Sequence, residues 1–117
     1  MKPPIHKGLA EGRWLTFSIF EQMGNVGSEF ERAASAYQRG DQQRFENAFE
    51  RMLELLDLSV TDPKWRKGTR LRELLRLREE VCAVFYGPAE NSVNYERSIK
   101  SLKNYFLYFG IAARAAR

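Results

Sequence analysis

Apolar residues recur along this chain at three- and four-residue spacing in four separate stretches, the repeat that lines side chains along one face of an α-helix. The first stretch begins at Arg13. Ile19, Met23, Val26, Phe30, Ala33 and Tyr37 make one apolar line, with Phe17, Phe20, Gly24, Gly27 and Ala34 beside it, while Ser18, Glu21, Asn25, Ser28 and Arg32 take the other side. Gly24 and Gly27 each cost a helix about 1 kcal/mol relative to Ala. Their place within the packing surface predicts close approach of another helix backbone, with backbone exposed to a ligand as the alternative. Gly40 terminates this helix and Asp41 caps the next, which spans Gln42 to Val60. There Phe45, Ala48, Phe49, Met52, Leu53, Leu55, Leu56 and Val60 face inward, and Glu46, Glu50, Glu54 and Asp57 form an acidic outer line.

Thr61-Asp62-Pro63 breaks the second helix, because the residue before a proline is pushed out of α geometry. The third stretch runs to Tyr86 and is regular from Thr69, whose hydroxyl serves as its N-cap, with Lys64 to Lys67 offering an extra turn. Its seam is Leu71, Leu74, Leu75, Arg78, Val81, Cys82 and Phe85, with Arg78 the one charged member. Gly87-Pro88 stops it. The fourth helix runs from Asn94 to Ala113 on a core line of Tyr95, Ile99, Leu102, Phe106, Phe109 and Ala113. Residues 1 to 12, with Pro3, Pro4, Gly8 and Gly12, form an extended arm. No internal repeat or strand-like alternation is apparent. Short links make consecutive helices neighbours, so the prediction is an all-α fold: an antiparallel up-down-up-down four-helix bundle, one domain over residues 1–117.

Charge alters this otherwise ordinary picture. The net charge is +4, but residues 1–62 carry seven cations and ten anions, whereas residues 63–117 carry twelve cations and five anions. From Lys64 to Arg78 seven cations face the single anion Glu73. In an up-down-up-down path the starts of helices one and three share an end with the finish of helices two and four. That pole gathers Arg13, Lys64, Arg66, Lys67, Arg70, Arg114 and Arg117, with Lys2, His6, Lys7, Trp14 and Trp65 nearby. A basic pole of this kind holds phosphates by charge and counterion release. The expected phosphate contacts are Lys64, Arg66, Lys67, Arg70, Arg72, Arg114 and Arg117. Trp65, flanked by cations in a loop, is the candidate to stack on unpaired bases, and Trp14 is read as a cap on the core. RNA is favoured over duplex DNA because no helix-turn-helix pattern is visible.

Other chemistry is harder to assemble. The lone His6 lies in the arm, no Glu-x-x-His pair suits a metal centre in a bundle, and no glycine-rich phosphate loop follows a strand. The expectation is a protein that is not an enzyme and needs no cofactor or metal. Burying Arg78 without a partner would be very costly, so it is expected to pair with Glu21 or Glu29 on helix one, or else to emerge at an interface. Tyr105, Phe106, Tyr108 and Phe109 cannot all face one seam, which makes Tyr105 and Tyr108 candidates for a homo-oligomer interface, a wide core face being the alternative. Cys82 is the only cysteine and excludes an intrachain disulfide. With no apolar run suited to a signal peptide or to crossing a bilayer, the expected setting is cytoplasmic.

RWLTFSIFEQMGNVGSEFERA in helix one, RLRELLRLREEV in helix three and YFLYFGIAAR near the end resemble small prokaryotic four-helix-bundle proteins. These are the proteins encoded by ribosomal RNA intervening sequences and the accessory variability proteins of diversity-generating retroelements. The resemblance spans most of the chain and rests on size, helix count and basicity. It implies a homo-oligomeric, pentameric barrel that binds nucleic acid and a reverse transcriptase and assists template-directed cDNA synthesis. It carries over no site residue. Two readings compete with a nucleic-acid-binding adaptor: a protein-interaction module whose basic end docks an acidic protein, and a small hydrolase acting on nucleic acid.

Overall fold

The computed structural model describes residues 12–86 and 95–115, without the side chains of residues 110 and 112–115. Among the described residues the chain forms four α-helices, two 3-10 turns and no strand. The helices are α1 (Ile19–Gln38), α2 (Gln42–Val60), α3 (Arg70–Tyr86) and α4 (Tyr95–Ala115); the turns are Arg13–Thr16 and Pro63–Arg66. Residues 1–11 of the expected arm, the loop before α4 and Arg117 lie outside the described residues. The radius of gyration, 14.3 Å, is close to the ~13 Å of a compact chain of this length.

Local chemistry sets each boundary. Helix α1 starts at Ile19 rather than Arg13 because Ser18 and Glu21 close a capping box: Glu21 N–H donates to Ser18 Oγ and Ser18 N–H to Glu21 Oε1, both at 3.1 Å. Gly40, at φ +71°, lets the chain reverse after α1. Asp41 then caps α2 by accepting from Arg44 N–H at 3.2 Å. Asp62 does the same for the second 3-10 turn, through Lys64 N–H at 2.9 Å. Helix α3 begins one residue after Thr69, whose hydroxyl donates to Glu73 Oε1.

Helix α1 is the central element and packs most extensively against α2 and α4, while α3 meets those two along narrower strips. Ring contacts fix which ends meet. Phe20 at the start of α1 lies 6.0 Å from Phe109 late in α4, and Tyr37 at its end lies 5.4 Å from Phe45 and 5.3 Å from Tyr95. Phe85 late in α3 lies 5.9 Å from Phe49 and 6.5 Å from Tyr95. Gly27 marks the tightest seam: a Cβ there would stand 2.7 Å from Phe106 Cβ, so only glycine lets α4 approach this closely. Gly24 has open space beside it and needs no such explanation.

The buried core follows the middle of the expected lines, through Met23, Val26, Phe30 and Ala33 of α1, Phe45, Ala48, Met52 and Leu56 of α2 and Ile99, Leu102 and Phe106 of α4, while Tyr37 at the end of the α1 line is 44 % exposed; the seam of α3 lies one line over. Leu74, Leu77, Val81 and Phe85 are buried, whereas Leu75 is 44 % exposed. Arg78 therefore stands at the rim. It is indeed paired, at 2.9 Å, but with Asp57 of α2 rather than Glu21 or Glu29. Glu29 instead joins Arg32 and Arg51. No helix among the described residues is long and apolar enough to cross a membrane.

Candidate nucleic-acid interface

The basic stretch after α2 is anchored by a buried polar clasp. Gln22 of α1 is fully buried and sits at its centre. Its Nε2 donates to Asp62 Oδ2 at 2.7 Å and to the Trp14 carbonyl at 3.1 Å, and its Oε1 accepts the Trp65 indole N–H at 2.6 Å. Trp14 donates its own indole N–H to Ser59 Oγ at 3.0 Å, and Ser59 passes a hydrogen bond to the Leu55 carbonyl at 2.9 Å. Lys64 Nζ closes the ring of contacts, 2.9 Å from Asp62 Oδ2 and 2.7 Å from the Leu15 carbonyl. Every one of these buried polar side chains has a partner, the condition under which burial does not cost stability.

The clasp determines the charge of Asp62. Burial would raise its carboxyl, but the Lys64 backbone and side-chain hydrogen bonds, the Gln22 amide and the Lys64 charge together outweigh burial and hold it below its usual value. Asp62 is thus an ionised group inside the fold.

Two expectations change here. Trp65 is 3 % exposed and belongs to the core, so its ring has no face to offer a base. The loop that holds it folds inward because the indole N–H finds Gln22. Lys64 spends its ammonium on Asp62 and Leu15, which makes it a strut of the clasp rather than a free phosphate contact. Trp14, 1 % exposed, caps the core as expected.

Arg66, Lys67, Arg70 and Arg72 stand exposed on the outer side of this clasp. None of the four has an ion pair among the described residues; Arg70 donates only to the Lys64 carbonyl, at 3.3 Å. Arg114 lies in the last turn of α4 with its side chain outside the described residues, and Arg117 lies outside them altogether.

The two tyrosines expected at an oligomer interface differ. Tyr105 is 38 % exposed and stacks edge-on against Phe106 and Phe109; burial first, then the carboxylates of Glu73 and Glu80 on α3, push its phenol upward. Tyr108 is 68 % exposed and shares the outer face of α4 with Leu107 and Ile111. The core-line pattern did not single out that pair, although Leu107 and Ile111 stand one helical turn apart. Among the described residues no group of three or more His, Cys, Asp and Glu side chains is placed to hold a metal ion.

Compared with protein-family models, with curated proteins and with solved structures, the chain matches none.

Proposed function

We propose that this chain is a non-enzymatic, nucleic-acid-binding accessory protein that favours RNA and works as a homo-oligomer in the cytoplasm. The observation that carries this reading is the set of Arg66, Lys67, Arg70 and Arg72, exposed and without ion pairs among the described residues, on the connection that the clasp anchors and the first turn of α3 that follows it. Fixed cations next to one another neutralise successive phosphates without first losing side-chain partners. The reading includes an antiparallel up-down-up-down four-helix bundle, which the ring contacts between the ends of α1 and α2, of α3 and α4, and of α1 and α4 support. Arg114 and Arg117 would join the same pole. The resemblance to accessory variability proteins extends the reading to a pentamer and to a reverse transcriptase as protein partner.

A second reading, a protein-interaction module with an acidic partner, is favoured by Leu107, Tyr108 and Ile111, which leave an apolar strip on the outside of α4. In the first reading the same strip is where copies of the chain meet, together with Tyr105. Purification without nuclease, followed by light scattering and the ratio of absorbance at two wavelengths, separates the two. A multimer carrying nucleic acid is the expected result. A monomer free of nucleic acid and not retained on heparin would overturn the first reading.

A further inference from the structure

Away from the basic loop, α1 and α2 carry one pattern twice: acid-x-x-Arg-x-x-polar-Ala-x-x-Arg. It reads EFERAASAYQR over residues 29–39 and DQQRFENAFER over residues 41–51. In each copy the acid pairs with the first arginine, Glu29 with Arg32 at 2.9 Å and Asp41 with Arg44 at 3.4 Å. Because Tyr37 packs on Phe45 and Glu29 reaches Arg51 at 3.2 Å, the two copies face each other across the groove between the helices. The repeat therefore builds one site with two similar halves. Arg32 lies across from Arg51 at one end, and Arg39 across from Arg44 at the other.

The groove is a cleft of about 500 Å³, within the size range of ligand pockets. All four arginines line it, Ala36 and Ala48 form its floor, and Ser35 and Asn47 supply hydrogen-bonding groups between the arginines. Among the described residues, Glu31 is the only carboxylate on the lining. Glu29, nearly buried, reaches both Arg32 and Arg51 and so fixes their guanidinium groups before any ligand arrives. Arg39 has no ion pair among the described residues, and Asp41 meets the Arg44 guanidinium through its Nε. The arginines on each wall are seven positions apart, a span of about 10 Å along a helix. Guanidinium groups present forked donors that match phosphate oxygens two at a time.

We propose that this groove binds a short linear oligophosphate, its phosphates lying along the groove between the Arg32–Arg51 and Arg39–Arg44 pairs. A chain with like charges at both ends suits a site with two like halves. The phosphates come either from an inorganic chain or from a nucleoside triphosphate. This site is separate from the Arg66 to Arg72 row, and the proposal does not depend on the RNA-binding reading.

The test is calorimetric titration of the full chain with inorganic tripolyphosphate and, separately, with ATP, at constant ionic strength. Saturable binding is expected for both. In Arg39→Gln/Arg44→Gln, whose side chains are exposed, it weakens at least tenfold. In the charge-matched Arg97→Gln/Lys100→Gln it does not change. ATP binding tighter than tripolyphosphate supports the site with a nucleotide as the source of the phosphates; equal affinities support it with the bare chain as the source. Absence of saturable binding to either probe, or an equal loss in the two double variants, would overturn the proposal.

Discussion

The two ends of the molecule are built by different physics. At the end where α1 starts, Trp14, Gln22, Ser59, Asp62, Lys64 and Trp65 lock together through directional hydrogen bonds, several of them to an ionised carboxylate. At the other end Tyr37, Phe45, Phe49, Phe85, Tyr86 and Tyr95 pack ring against ring, with centroids 5.0 to 6.5 Å apart. The aromatic end even buries a polar atom, Tyr95 Oη, without a hydrogen-bond partner among the described residues. Ring packing tolerates small shifts, whereas a hydrogen-bonded clasp specifies one geometry. Arg66, Lys67, Arg70 and Arg72, without ion pairs among the described residues, sit beside the end that is specified, where the proposed phosphate contacts would gain from a fixed array.

Breaking the aromatic end should have the largest effect on stability. Phe85 packs against the rings of Phe30, Tyr37, Phe45, Phe49 and Tyr95 and is 7 % exposed, so Phe85→Ala should cost about 3–5 kcal/mol in urea unfolding. The cost should be the same at pH 4 and pH 7. Gln22→Leu keeps the volume but strands the Trp65 indole N–H and one side of Asp62, at about 3 kcal/mol. A destabilisation below about 1 kcal/mol would mean that the clasp contributes little.

Acid separates the two ends directly. The Asp62 carboxyl is held below its unfolded value, so its contribution is complete above about pH 4. As pH falls through the lowered folded value, the proton binds, the Lys64 pair breaks and the contribution disappears. The wild-type chain should therefore lose stability on acidification more steeply than Asp62→Asn, as followed by thermal unfolding between pH 7 and pH 2. Parallel curves would contradict an ionised Asp62.

Helix packing offers a smaller, paired test. Gly27→Ala forces a methyl onto Phe106 Cβ, part of the side chain that cannot swing away, and should cost about 1–3 kcal/mol despite the gain in helix propensity. Gly24→Ala meets nothing within 4 Å and should stabilise by about 0.5–1 kcal/mol. Smallest of all, Tyr95→Phe removes a hydroxyl with no partner among the described residues and should leave stability unchanged or slightly raised in thermal unfolding. A clear destabilisation would show that the hydroxyl has a partner.

Periodicity made the helices legible, because each buries a stripe whose spacing is local. The start of α1 was also written in the sequence, in the Ser18-x-x-Glu21 capping box, but the apolar residues before it masked the signal. What local pattern could not convey was long-range. Trp65 sits among Lys64, Arg66 and Lys67 and reads as exposed; its burial depends on Gln22, 43 positions earlier. Arg78 shares a line with Leu71 and Phe85, yet the helix is rotated so that Leu77 is buried and Arg78 meets Asp57 at the rim. The repeat over residues 29–39 and 41–51 was present all along, hidden within a half of the chain whose net charge is negative.

The central claim, that Arg66, Lys67, Arg70 and Arg72 form a phosphate-binding row, is tested most directly by the salt dependence of binding to a single-stranded RNA. Removing one cation that neutralises a phosphate lowers the slope of log K against log salt by about 0.7. Arg66→Ala/Lys67→Ala should reduce the slope by about 1.4 and weaken binding at every salt concentration, with melting temperature unchanged. An unaltered slope in this variant would contradict the account.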